Sequence, residues 1–242
     1  VTGPSGSGKT VSLYTALDIL NRPEVNISTV EDLVEIWVPR INQVNLNVKA
    51  GLTFAAAMRA FLRQDPDTIM VGEIRDPETV EIAVKAAQTG HLVLSTLHTS
   101  DAPQSLTSLV NLGIPPYNIA SSVHLIMAQR LARRLCPHCR EPEQLPREAL
   151  LAAGFGSAEI EAELTPYRAV GCERCSNDYQ ERIGIFQVMP ISGQIGRLIM
   201  EGGDAIRLAE QARRERVADL RASGLRKVRE RITSLEEIDR VT

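Results

Sequence analysis

Residues Gly3, Pro4, Ser5, Gly6, Ser7, Gly8, Lys9 and Thr10, two residues into a chain of 242, meet every fixed position of the pattern GxxxxGK[ST]. This stretch constrains the fold more than any other, because its chemistry works in one local setting. The backbone amides of Gly3, Ser5, Gly6, Ser7 and Gly8 can turn inward around phosphates. Lys9 then reaches the terminal phosphates and the Thr10 hydroxyl takes a place on Mg2+. Such a loop hangs from the end of a buried strand and opens a helix. Val11, Tyr14, Leu17 and Leu20 recur at helical spacing, so the helix is predicted directly after the loop. Val1 and Thr2 are expected to be the end of the strand before the loop, with its beginning upstream.

The following sequence alternates strands and helices. VNISTV (25–30), TIMVGEI (68–74) and HLVLSTLH (91–98) are apolar strand candidates. Thr53 caps a helix with Phe54, Met58, Phe61 and Leu62 on one face, and Asp76, Pro77 and Gly90 punctuate a second helix as cap, first residue and stop. The alternation predicts an α/β fold, a parallel sheet flanked by helices. A hydrophobic share of 43% is enough to fill its core. A net charge of −3 argues against a general nucleic-acid binder. The sequence has neither an apolar run of about 18 residues nor a leader pattern, which makes the cytoplasm the expected location.

Hydrolysis also requires carboxylates to hold the metal and orient water. Glu73 follows the apolar Ile69, Met70 and Val71, with the small Gly72 beside it and Arg75, a candidate nucleotide contact, just after, at the carboxyl end of a strand where open sheets place ligands. Glu31, Asp32 and Glu35 close the preceding strand, and two readings stand for them: metal-side acids, or acids that solvate a strand end. His91 and His98 bracket the next strand. His98 lies at the same sheet edge as Glu73, where an imidazole could touch a terminal phosphate.

The texture changes at Cys136. Cys136/Cys139 and Cys172/Cys175 are two CxxC pairs with 32 residues between them, which suits four thiolates closing on one structural Zn2+. The chain is therefore divided into a nucleotide-binding core (1–135), a small tetracysteine zinc subdomain (136–190) and a carboxyl-terminal helical region (191–242). The arginines of that last region are interspersed with acids, as on a solvated or intersubunit face.

In their order, GPSGSGKT, TVEDLVEI, RQDPDTIMVGEIRD, TGHLVLSTLHTSDAP, AQRLARRLCPHC and GCERC closely resemble the secretion-superfamily ATPases, in the pilus-extension and type II secretion branch. LPREALLAAGF and GIFQVMPIS look most like the type IV pilus assembly motors. The resemblance implies a RecA-like P-loop ATPase that works as a homohexamer on an inner-membrane platform protein, cytoplasmic and peripheral to that membrane. An upstream domain is implied as well, open to regulatory proteins. It makes Lys9 and Thr10 the contacts for ATP and Mg2+, Glu73 the Walker B glutamate, Glu35 the acid of the Asp box, His91 and His98 the His box, and the four cysteines the Zn2+ site. Retraction motors of the superfamily lack the cysteines, so extension or secretion is expected. Leu33 stands where the family has proline, and Arg40, Asp178 and Glu181 where it has glycine. These departures, with the missing upstream half, keep a non-hydrolysing docking module open as an alternative. A DNA-translocating ATPase draws only on the arginine-rich tail.

Overall fold

The computed structural model describes residues 1–162, 164–176 and 178–242. Four parallel strands, β1 (Ile27–Glu31), β2 (Ile41–Asn45), β3 (Thr68–Val71) and β4 (Leu92–Ser95), form a sheet in the order β2-β1-β3-β4. Register sets Ile27 beside Thr68 and Thr68 beside Leu92, so β1, β3 and β4 end together and the loops that follow them share one edge. Thr2 adds a step to this arrangement: it bridges in parallel to Leu97 and to Ala128, its N–H donates to the Met127 carbonyl at 2.8 Å, and Leu97 N–H donates to the Val1 carbonyl at 3.0 Å. The phosphate-loop motif thus leaves the sheet at the same edge.

Helices cover both faces. Side chains alternate along a strand, and here Ile69 and Val71 pack with Phe54, Met58 and Phe61 of α2 (Phe54–Phe61) and Ala83 and Ala86 of α3 (Pro77–Gln88). Met70 and Ile27 point the other way, onto Leu13, Tyr14 and Leu17 of α1 (Lys9–Leu20). Thr53 and Asp76 cap α2 and α3 as expected, Pro77 opens α3, and Gly90 follows its end at φ 99°. Two expectations change. Val11 is 62% exposed and Leu13 takes its place in the core, because the helix begins at Lys9 and its buried stripe is set by 13, 14 and 17. Strand β2 has no apolar alternation to announce it: in INQVN only Ile41 is buried, as suits an edge.

The chain continues through α4 (Ala102–Asn111), α5 (Pro116–Ser122), β5 (Leu125–Leu135), β6 (Glu141–Pro142), α6 (Arg147–Ala153), α7 (Ser157–Glu161), β7 (Tyr167–Arg168) and β8 (Tyr179–Pro190). Helices α8 (Gly193–Met200), α9 (Ala205–Arg214), α10 (Leu220–Arg229) and α11 (Leu235–Val241) complete it. Two compact units result: Val1–Ala128 with Val188–Glu215, and Gln129–Gln187 with Arg216–Thr242. The continuous tail expected from 191 onward is therefore shared. Helices α8 and α9 belong to the first unit, where α8 packs on α5 and α9 on α4. Helices α10 and α11 bury Leu225, Val228 and Ile238 in the second.

Candidate active site and metal centre

The phosphate-loop motif is built as its chemistry requires. Gly6 and Gly8 adopt φ 76° and 85°, a region that costs an L side chain about 1 kcal/mol or more. Added bulk at Gly6 would meet nothing within 4 Å, so conformation and not space calls for glycine there. Lys9 Nζ donates to the carbonyls of Gly3 at 2.7 Å and Pro4 at 3.0 Å, which lays its ammonium across the loop. The amides of the first turn of α1 have no partner within the helix and face the same place. Ser7 is buried, and its Oγ finds no hydrogen-bond partner among the described residues. Ser5, Gly6, Lys9 and Thr10 form one wall of a cleft of about 310 Å3.

The other wall is acidic. Thr10 Oγ1 lies 3.4 Å from Glu35 Oε1. Glu73, 9% exposed, pairs through one carboxylate oxygen with Arg75 at 2.7 Å and through the other with His98 Nε2 at 3.2 Å. Gly72 makes this placement possible, since a Cβ there would stand 3.3 Å from Glu31 Cα and 3.4 Å from the Val30 carbonyl. The close approach lets Gly72 N–H bond Val30 O, while Thr96 Oγ1 donates to Gly72 O and Ile74 N–H to Thr96 O. Glu73 is thereby fixed between the extensions of β1 and β4. A carboxylate, a hydroxyl and a second carboxylate around one cleft form an all-oxygen donor set, the kind Mg2+ takes beside phosphates.

Of the two readings for the acids after β1, the structure separates Glu31 from Glu35. Glu31 also lines the cleft, but it is 4% exposed and both its oxygens are engaged, accepting from Tyr14 OH and Thr29 Oγ1, each at 2.6 Å. Burial, together with the bond to Glu31, pushes the Tyr14 phenol up to about 12. Glu35 is exposed toward the cleft beside Thr10. His91 is not brought there. It sits before β4, at the opposite end of that strand from His98, with Nδ1 within 3.0 Å of the Ala86 carbonyl and 3.1 Å of Thr89 Oγ1 at the end of α3. Leu33 lines the cleft at φ 86° with its side chain 72% exposed. That conformation costs a non-glycine residue about 1 kcal/mol or more and is closed to proline, whose φ is fixed near −65°. In the sequence Tyr14 reads only as a helix-face residue and Thr29 carries no role. The available signal was the i, i+4 step that puts Tyr14 on the same helix face as Thr10.

In the second unit the Sγ atoms of Cys136, Cys139, Cys172 and Cys175 all lie within 4.8 Å of one another, with 3.9 Å between Cys136 and Cys172 and 3.8 Å for both Cys139–Cys175 and Cys172–Cys175. A tetrahedron of Zn–S bonds of about 2.3 Å has edges of about 3.8 Å, so these separations fit zinc. Desolvation pushes the Cys139 thiol up to about 12, whereas the Arg174 backbone N–H draws Cys172 down. Four sulfurs this close cannot all ionise unless a cation joins them.

The family model described as "Type II/IV secretion system protein" matches residues 1–240. The chain belongs to this family. Among type II/IV secretion proteins it is 58% identical over 242 residues to the type IV pilus assembly ATPase PilB of Pseudomonas aeruginosa, covering 100% of the chain and 43% of that protein. It is 47% identical over 244 residues to the type II secretion system ATPase E of Vibrio cholerae, again covering 100% of the chain but 48% of that protein. The chain thus spans less than half the length of these relatives. Its fold matches the crystal structure of the pilus retraction motor PilT with bound ADP at a TM-score of 0.73 and 25% identity, over 100% of this chain and 60% of that one. The Legionella pneumophila ATPase DotB shares the fold at a TM-score of 0.68 and 22% identity, over 99% and 58%. The α/β fold expected from the sequence, a parallel sheet flanked by helices with a tetracysteine site, is the observed one.

Proposed function

We propose that this chain is the ATP-hydrolysing module of a type IV pilus assembly motor. The observation that carries the reading is the single cleft that gathers Lys9, Thr10, Glu35 and Glu73 at one edge of a parallel sheet. In this reading the loop amides and Lys9 bind the phosphates of ATP, while Thr10 and Glu35 hold Mg2+, which supplies charge neutralisation of the phosphates. Glu73 orients the attacking water. Arg75 and His98 fix its two oxygens, which keeps the carboxylate aimed into the cleft. Gly3, Ser5, Gly6, Ser7 and Gly8 are the remaining nucleotide contacts, and His91 serves the nucleotide only if another subunit brings one to it. The four cysteines hold a structural Zn2+.

The same reading includes a homohexamer in the cytoplasm that acts on an inner-membrane platform protein, with regulation through sequence outside this chain. Among the described residues no helix is long and apolar enough to cross a membrane. Identity of 58% to a pilus assembly ATPase against 47% to a type II secretion ATPase supports the pilus assignment over the secretion one. Phosphate release from MgATP by the full-length protein tests the chemistry. Lys9→Ala is expected to abolish turnover, and Glu73→Gln to slow it at least about tenfold while MgATP still binds. Turnover indifferent to both substitutions would overturn the assignment, and absence of turnover in the unaltered protein would favour the docking alternative.

A further inference from the structure

Residues 32–40, which carry Glu35, form neither helix nor strand. Burial holds them only at the far end, where Val38 packs against the core under α1, while Leu33, Ile36 and Trp37 are 72%, 51% and 68% exposed. Around Glu35 the hold comes from hydrogen bonds to two side chains of β2. Asn45 Oδ1 accepts from Val34 N–H at 2.6 Å. Gln43 uses both ends of its amide, accepting from Val38 N–H at 2.6 Å and donating to the Ile36 carbonyl at 2.9 Å. Glu35 lies between Val34 and Ile36, so its backbone is gripped on either side.

The source of this grip has a direction. Ile41, Gln43 and Asn45 alternate onto one face of β2, and Ile41 packs there against α1. Tyr14 of α1 meets the same network, with its hydroxyl 3.4 Å from Gln43 Nε2 and 3.5 Å from Ile36 N, while it donates to Glu31 at the start of the loop. One turn earlier on that helix, Thr10 faces Glu35. We infer that Gln43 and Asn45 are positioning residues, which clamp the backbone around Glu35 and so hold its carboxylate opposite the Thr10 hydroxyl. The inference rests on Glu35 being a metal-side acid, as proposed above. It assigns a role to polar residues on an edge strand that neither the motif nor the apolar pattern marks. Both side chains reach the loop without touching the cleft, so their effect passes through Glu35.

The test uses the full-length protein carrying Asn45→Ala or Gln43→Ala, with Asn42→Ala, on the opposite face of β2, as control. Hydrogen exchange at the amides of Val34 and Val38 reads the clamp directly, and is expected to rise about tenfold where its acceptor is lost. Binding of a fluorescent ATP analogue, titrated with Mg2+, reads the consequence. The Mg2+ concentration for half-maximal tightening is expected to rise about tenfold, the usual scale for loss of a group that orients a ligand, with affinity in EDTA unchanged. Asn45→Asp keeps the acceptor and recovers most of the response. A wild-type Mg2+ titration in both Asn45→Ala and Gln43→Ala, alongside a defect in Glu35→Ala, would overturn the positioning role alone. A wild-type titration in Glu35→Ala would remove the metal-side role and the inference together.

Discussion

Each unit has a carboxylate no more than 4% exposed, Glu31 in one and Glu237 in the other, and the two are satisfied in opposite ways, while the more exposed cleft acid Glu73 pairs with Arg75. In the nucleotide unit Glu31, 4% exposed, accepts from two neutral hydroxyls, those of Tyr14 and Thr29. In the cysteine unit Glu237, fully buried, takes five hydrogen bonds from Arg133 and Arg240, including the Arg133 backbone N–H. The Arg133 guanidinium also lies 4.1 Å from the centre of the Tyr179 ring. The contrast follows from what surrounds each acid. The nucleotide unit has a parallel sheet with apolar side chains on both faces, so its cohesion comes from burial, and Lys9 and Arg75 point into the cleft. The cysteine unit is made of short elements and is tied by ion pairs and a thiol cluster. That unit also has an apolar core, with Phe155, Ile185, Val228 and Ile238 buried, but its ion pairs and thiols add a part of its stability that is expected to respond to metal and pH more than the other unit does.

Metal removal should divide the units most sharply. About one Zn2+ per chain is expected in protein purified reduced, by elemental analysis. Either a chelator or Cys172→Ser should raise hydrogen exchange most at the two cysteine knuckles, because a structural zinc site contributes folding energy that its removal withdraws, and least at buried Leu150 and Phe155. Nucleotide affinity should stay within about twofold. A metal content near zero would contradict the four-thiolate site. Equal loss of protection around Lys9 and Glu73 would contradict the independence of the units.

The sequence disclosed those parts of the fold whose cause is local. Capping by Thr53 and Asp76, the start at Pro77 and the stop at Gly90 each depend on a few adjacent residues. The phosphate loop and the paired cysteines are likewise signals of fixed spacing. Strand β2 was illegible because an edge strand with one buried residue carries no period. The helical tail read as one piece because nothing in its composition tells that α9 and α10 pack in different units. Partners far apart in sequence left no trace either: Glu31 could not be told from Glu35 before Tyr14 was seen beside it, and Arg133 and Glu237 are separated by 104 positions. At the candidate site, the family resemblance grouped His91 with His98, whereas β4 holds them at opposite ends, as their places on either side of the strand implied.

Acid should separate the units next. Burial acts to raise the Glu237 carboxyl, but the bonds from Arg240 and Arg133 outweigh it and hold the group at about 2, below its ordinary 4.5. A depressed folded-state value contributes stability that is complete above about pH 4.5 and is lost as pH falls toward about 2. The contribution is about 2–3 kcal/mol, at the lower end for a buried pair because both arginines are partly exposed to water. Glu237→Gln should destabilise the cysteine unit by that amount at neutral pH and flatten its acid response. Hydrogen exchange of α10 and α11 between pH 5 and pH 2.5 provides the measurement. Parallel acid profiles for the wild type and Glu237→Gln would assign the loss to other groups.

The smallest test asks whether backbone strain falls equally on both units. Arg40 in the first, and Asp178 and Glu181 in the second, hold φ of 69°, 68° and 64°, the left-handed region. An L residue there costs about 1–2 kcal/mol relative to glycine, part of which glycine returns through its freer unfolded state. The Arg40 guanidinium recovers little, donating to the exposed Asn21 carbonyl at 3.2 Å, and the Glu181–Arg134 pair is exposed on both sides. Arg40→Gly and Glu181→Gly should therefore each stabilise their own unit by about 0.5 kcal/mol, raising its Tm by about 1–2 °C. Glu181→Ala distinguishes strain from charge, because it removes the ion pair yet keeps the side-chain penalty. A Tm order of glycine above glutamate, with alanine at or below glutamate, is the expected outcome in calorimetry. Alanine rising as far as glycine would mean that the acid at 181, and not its φ, is what costs the cysteine unit stability.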